Sequence, residues 1–122
     1  LKANVFFQKE EYDSAIVYYK KWKEMEPELC EPDRWIGLIY LIKNDADPQS
    51  CIRHLKQYQN CLRAKGENVC SDNDVNVWIM KAYQMANDAN NAFEWAGKCL
   101  KCDPANEECQ KAREELEFEI DL

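Results

Sequence analysis

The residues able to do chemistry are few and scattered. Cys99-x-x-Cys102 has the spacing of a zinc or redox pair. No second Cys-x-x-Cys and no His pair completes four metal ligands, and no βαβ pattern surrounds it as in a thioredoxin-like site. His54, the one histidine, stands mid-helix among polar neighbours in RHLK and reads as a surface side chain rather than a general base. Gly37, Gly66 and Gly97 are isolated, so no glycine-rich phosphate loop exists. Glu114 and Glu115 belong to an acidic surface run, not an acid–base dyad. Catalytic residues, metal ligands and cofactors are therefore expected to be absent, and the chain reads as a non-enzyme.

The other cysteines, Cys30, Cys51, Cys61, Cys70 and Cys109, bring the count to an odd seven. Most fall at apolar positions of helical patterns, where a thiol acts as a small hydrophobe. A secreted disulfide framework favours an even count in a shorter, loop-rich chain. The sequence therefore predicts free thiols, no disulfides and a reducing intracellular compartment. Net charge is −7, from 16 basic and 23 acidic residues, which disfavours RNA, DNA and an anionic membrane surface. No apolar run approaches the roughly 18 residues of a membrane span. The start, Leu1-Lys2-Ala3-Asn4, has neither an initiator Met nor a signal peptide and suggests a piece of a longer protein.

The elements that must position these residues are helices. With 122 residues, 46% apolar, and only three glycines and four prolines, the chain can bury a core but lacks the turns of a β-sandwich. Three segments share one shape: Glu10 to Pro27, Asp47 to Ala64 and Asn87 to Pro104. Each opens on a polar turn, then places a small residue, another residue four later and a third three further on. The triplets are Ala15/Tyr19/Trp22, Cys51/Leu55/Tyr58 and Ala92/Ala96/Cys99. This pattern resembles the second helix of a tetratricopeptide repeat.

First helices precede them. Trp35, Leu38, Ile39 and Ile42 are set at the consensus Trp, Leu, Gly and Tyr places, Ile79 and Tyr83 at the Leu and Tyr places, and Ala3 and Phe6 at the Gly and Tyr places. The anchors Ala15, Cys51 and Ala92 lie 36 and 41 residues apart, against an ideal of about 34. The excess is assigned to connections between repeats, the longer being GENVCSD, Gly66 to Asp72.

The predicted fold is all-α: three tetratricopeptide-like hairpins plus a C-terminal capping helix in a right-handed α-solenoid. It forms one domain over 1–122, with repeat 1 at about 1–29 (truncated at its start), repeat 2 at 32–65, a loop at 66–72, repeat 3 at 73–106 and the cap at 105–120. Helices are expected at about 1–9, 12–26, 32–43, 48–65, 72–86, 89–102 and 105–120, with Asp47 and Ser71 as N-caps and Pro32 and Pro48 in first turns. Trp22, Trp35, Leu38, Leu55, Ala92 and Cys99 should be buried.

The first helices of such repeats line a concave groove. In this register the inward residues are Leu1, Asn4, Phe7 and Gln8; Asp33, Ile36, Gly37, Tyr40, Lys43 and Asn44; and Asp74, Val77, Trp78, Lys81, Gln84 and Met85. The candidate partner-binding set is Asn4, Phe7, Gln8, Tyr40, Lys43, Asn44, Trp78, Lys81, Gln84 and Met85, with Tyr40 and Trp78 as aromatic anchors and Lys43 and Lys81 as cations. The expected occupant is a protein or peptide, in the groove or on the convex face, of a monomeric fragment. The carboxylate clamp of co-chaperone repeats is met only at Asn4; its second Asn place falls on Gly37 and its Lys and Arg places on Asp74 and Trp78.

A closer resemblance lies in ANVFFQKEEYDSA, Ala3 to Ala15, followed by RWIGLIY, Arg34 to Tyr40. These runs are similar to the N-terminal tetratricopeptide domain of the giant Ran-binding nucleoporin, and Gly37 at an off-consensus place is the most telling detail. Met85 to Trp95 and Lys98 to Leu116 continue the likeness. It implies a scaffold at the cytoplasmic face of the nuclear pore, in nucleocytoplasmic and mRNA transport, with RNA binding carried only weakly because basic residues are scattered. The alternatives are an adaptor or co-chaperone-like peptide-binding module outside the pore, or a weak single-stranded RNA binder.

Overall fold

In a computed structural model, which describes residues 1–120, the chain is all-helical. Its helices are α1 Lys2–Gln8, α2 Tyr12–Met25, α3 Glu31–Ile42, α4 Pro48–Ala64, α5 Asn73–Met85, α6 Ala89–Cys102 and α7 Glu107–Leu116, with a 3-10 turn at Val69–Asp72. The described residues contain no strand. Six of the helices pair as hairpins, α1 with α2, α3 with α4 and α5 with α6, and α7 packs on α6. The packing divides the chain into two compact units, Leu1–Gly66 and Glu67–Leu122.

The caps explain most of the boundaries. Asp47, Asp88 and Asn106 each accept a hydrogen bond from the backbone N–H three residues on, filling one of the donors a helix start leaves open. Pro48 and Pro32 lie in first turns, where a missing N–H costs nothing. Ser71 is not a cap: Asp72 precedes α5 and makes no side-chain capping bond to it, and the 3-10 turn is capped by Asn68, which accepts from the Cys70 N–H. The cap helix α7 ends at Leu116, short of the expected 120.

In the first unit, Ala3, Ala15, Ile16, Tyr19, Ile36 and Ile39 form the core, flanked by Phe6, Phe7, Tyr12, Tyr18, Trp22, Trp35 and Tyr40. In the second, Val75, Ile79, Met80, Ala92, Ala96, Cys99 and Cys109 are buried. Leu55, Ala92 and Cys99 are buried as expected, whereas Trp22, Trp35 and Leu38 are only half-buried.

The shortfall at Trp35 and Leu38 has a cause: the expected register of α3 is two residues out. The hairpin loops Lys9–Glu11 and Ala86–Asp88 have three residues, but Lys43–Asp47 has five. The two extra residues lie inside the second hairpin, not between repeats. Backbone hydrogen bonds confirm it. The N–H groups of Glu11, Asp47 and Asp88 donate to the carbonyls of Phe6, Tyr40 and Tyr83, each at 2.9 Å. Tyr40 thus holds the consensus Tyr place, and Asp33, Ile36 and Gly37 the Trp, Leu and Gly places. A Cβ on Gly37 would stand 2.5 Å from Leu55 Cδ2 and 3.3 Å from the Cys51 carbonyl, so α3 and α4 touch here only because the side chain is absent. Gly37 is an ordinary consensus glycine, and the off-consensus detail behind the nucleoporin resemblance disappears.

Candidate functional site

On the first unit, α1, α2 and α3 place Asn4, Phe7, Gln8, Tyr19 and Trp35 around one cleft of about 330 Å³. Aromatic packing fixes its floor. Trp35 stacks on Tyr19, with centroids 6.2 Å apart and planes 8° apart, and meets the edge of Phe7 at 5.4 Å. Phe7 is held from behind by Tyr12 at 5.8 Å. The Tyr19 hydroxyl donates to Asn4 Oδ1 at 2.6 Å. That bond engages the carbonyl end of the exposed Asn4 amide and leaves its NH₂ as the group offered outward. Arg34 lays its guanidinium 5.3 Å from the Trp35 ring centre. The cleft thus combines the half-buried rings of Phe7 and Trp35, the buried Tyr19 beneath them and two amide side chains, with the Arg34 cation on the Trp35 ring. It contains no nucleophile and no acid–base pair.

The register correction redistributes the candidates of the second repeat. Moving two residues back along α3 replaces Asp33, Ile36, Gly37, Tyr40, Lys43 and Asn44 with Glu31, Arg34, Trp35, Leu38, Leu41 and Ile42. None of the replacements is buried, while Asp33, Ile36 and Gly37 are. Tyr40 stacks on His54 at 5.8 Å. Lys43 pairs with Asp13 at 2.7 Å and Asp45 at 3.4 Å; the bond from Asp13 holds its ammonium above the usual lysine range. Asn44 is exposed in the five-residue loop. The clamp's second Asn place moves to Trp35, which cannot supply an amide.

On the second unit, Trp78 is half-buried, Val77 is buried and Asp74 is exposed. Lys81 pairs with Glu108 of α7 at 2.8 Å. Gln84 lines a polar depression with Asn87, Asp88 and Glu119, and Met85 is exposed. These side chains therefore do not gather around a second aromatic cleft.

Two features run against the sequence reading. His54 is not a surface residue: it is 8% exposed, and its Nδ1 bonds Asp33 Oδ1 at 2.8 Å. Lys23 pairs with the same carboxylate at 2.9 Å, so α2, α3 and α4 meet at one ion network. Burial pushes the Asp33 carboxyl up, but the bonds from His54 and Lys23 outweigh it and hold it below the usual range.

The second is the cysteines. Cys30 is bonded to Cys61, Cys70 to Cys102 and Cys99 to Cys109, and Cys51 alone is free. The expectation of free thiols and no disulfides is overturned. A half-cystine at an apolar helical position buries its sulfur as a thiol does, so helical periodicity cannot tell them apart. A signal existed in the repeat itself. Cys61 and Cys102 each follow their anchors, Cys51 and Ala92, by ten residues, and each pairs with a cysteine 31 or 32 residues earlier. The same staple recurs in the second and third hairpins. Of Cys99-x-x-Cys102, Cys102 is consumed in that staple and Cys99 in the bond to Cys109, and among the described residues no group of three or more His, Cys, Asp or Glu is placed to hold a metal.

No family model matches this chain, and no curated protein does. Solved structures do. The N-terminal domain of stress-induced protein-1 (STI-1) from C. elegans superposes with a TM-score of 0.81 at 19% identity, over 94% of this chain and 88% of that one. This likeness concerns the fold: an all-α chain of three tetratricopeptide-like hairpins with a C-terminal helix. It gives the nuclear-pore assignment no support. Among the described residues no helix is long and apolar enough to cross a membrane.

Proposed function

We propose that residues 1–122 act as one non-enzymatic interaction module, an adaptor whose α1–α3 cleft holds an extended peptide. The observation that carries this is the cleft's composition: rings of Phe7, Tyr19 and Trp35 beside an Asn4 amide oriented by Tyr19. Rigid aromatic surface binds with little loss of side-chain freedom, and an amide donor suits a peptide carbonyl or carboxylate. The similar structure from stress-induced protein-1 favours the adaptor reading over the pore scaffold. The three disulfides favour a module working in an oxidising compartment.

Selection from a displayed random-peptide library, followed by Trp fluorescence titration of the winners, tests the cleft. Peptides should be enriched, and Asn4→Ala or Trp35→Ala should weaken them about tenfold or more, as loss of a central anchor does. Winners that bind both variants as well as the parent would remove the cleft from the proposal. Tight, salt-dependent retention of unstructured RNA on a filter would favour the RNA reading instead.

A further inference from the structure

In the second unit the two disulfides are neighbours through one helix. Cys99 and Cys102 lie a turn apart on α6, and each is bonded elsewhere: Cys102 to Cys70 before α5, Cys99 to Cys109 on α7. Their exposure differs. Cys70 is exposed and Cys102 half-buried, whereas Cys99 and Cys109 are both 0% exposed. An external reductant therefore meets one disulfide and not the other. Two amides, Asn73 and Asn76, lie against sulfurs of these bonds. Asn76 is 2% exposed. Its Nδ2 donates to Asn73 Oδ1 at 2.9 Å and approaches Cys102 Sγ at 3.7 Å. Asn73 Nδ2 donates to the Cys99 carbonyl at 3.2 Å and lies 3.6 Å from Cys99 Sγ. The Asn76 amide is placed to stabilise negative charge on Cys102 Sγ.

We propose that this arrangement is a disulfide relay, in which reduction of the outer bond is passed inward and releases α7. A dithiol attacks Cys70 Sγ, and Cys102 leaves as a thiolate. The second thiol of the reductant then displaces Cys70, which departs as a thiol, and the reductant closes to its own disulfide. Two electrons have entered the protein. The Cys102 thiolate attacks Cys99 Sγ one turn away, forming Cys99–Cys102 and expelling Cys109 as a thiolate that takes up a proton. This second step is an exchange with no net redox change. Residues three apart on a helix face one another, and Cys102 is the last residue of α6, where the backbone can adjust to close the bond. The covalent tie between α6 and α7 becomes a tie within α6. The cap helix is then held without a covalent tie, by its stripe of Cys109, Ala112 and Leu116, the Lys81–Glu108 pair and Arg113 over the Phe93 ring.

The test is graded reduction of the full chain with dithiothreitol, alkylation and peptide mapping. At the lowest concentrations that open Cys70–Cys102, the map should contain a Cys99–Cys102 linkage with Cys70 and Cys109 alkylated. Alkylated Cys70 and Cys102 beside an intact Cys99–Cys109 linkage would overturn the relay. A Cys70→Ser/Cys102→Ser variant gives an independent arm. Without the attacking thiolate, Cys99–Cys109 should survive reductant that opens it in the parent chain. Opening at the same concentration would also overturn the proposal.

Discussion

The two units solve the same packing problem by different means. Residues 1–66 join two helical hairpins through an aromatic cluster and the Lys23–Asp33–His54 network, with one disulfide inside the second hairpin. Residues 67–122 have one hairpin and a cap helix, a core in which Ile79, Met80, Trp95 and Leu116 interleave with Ala92, Ala96 and Ala112, and two disulfides. A chain this short buries a modest core and leans on covalent staples. In the first unit a buried carboxylate and imidazole add to the apolar packing; in the second a further cross-link, Cys99–Cys109, does.

Reduction should separate the units most sharply. In the chain-entropy account, closing a loop of 31 or 32 residues contributes about 3–4 kcal/mol and one of 10 residues about 2–3 kcal/mol. Hydrogen exchange with and without reductant should therefore reveal a greater loss of protection in α5–α7 than in α1–α4. Equal losses would mean the aromatic cluster contributes less than its size suggests. Thiol titration of the denatured, unreduced chain should give one thiol, Cys51. Seven would restore the reducing compartment.

Asp33→Ala comes next, and it touches only the first unit. Removing the carboxylate strands a buried imidazole and a partly buried ammonium, at about 2–4 kcal/mol by urea titration. Its pH signature has a fixed sign. The folded carboxyl is held below its ordinary value, so its contribution is complete above the usual carboxylate range. It is lost as pH falls through that range to the folded value. The parent chain should lose stability in acid over this window, and Asp33→Ala should lose less.

Glycine substitutions give a smaller contrast. Gly37→Ala drives a methyl into Leu55 and should cost about 1–3 kcal/mol. Gly97→Ala meets only the Arg113 guanidinium at 2.9 Å, the end of a flexible side chain, and should cost under about 1 kcal/mol. The smallest effect concerns matching loops. Glu10 and Asn87 occupy the same hairpin place at φ 60° and 58°. Asparagine tolerates that conformation better than glutamate. Glu10→Asn should raise the melting temperature, by about 0.5–1 kcal/mol of stability, and Asn87→Glu should lower it similarly.

The helices were legible because apolar spacing, prolines and caps agree along the chain; most ends fall within one or two residues of expectation. The register of α3 was not. Spacing between Ala15 and Cys51 counts the extra residues but cannot say on which side of α3 they lie, and both placements put apolar residues at plausible positions. The error carried Tyr40 and Lys43 into the candidate site and left Arg34 and Leu38 out. Asn4, Phe7 and Gln8, set by an unbroken three-residue loop, needed no such correction, and they line the cleft with Trp35. The His54 misreading has a related origin. Its sequence neighbours are polar, but its partner Asp33 lies on another helix, and a contact of that kind has no local signature.

Cys51, the seventh cysteine, is fully enclosed, and burial pushes its thiol up to about 12. At neutral pH it is then neutral and out of reach while the first unit is folded, and it regains ordinary reactivity only when that unit opens. The chain therefore carries its own stopwatch. The rate at which an alkylating reagent captures Cys51 reports how often residues 1–66 come apart, without an introduced probe and without disturbing the three staples.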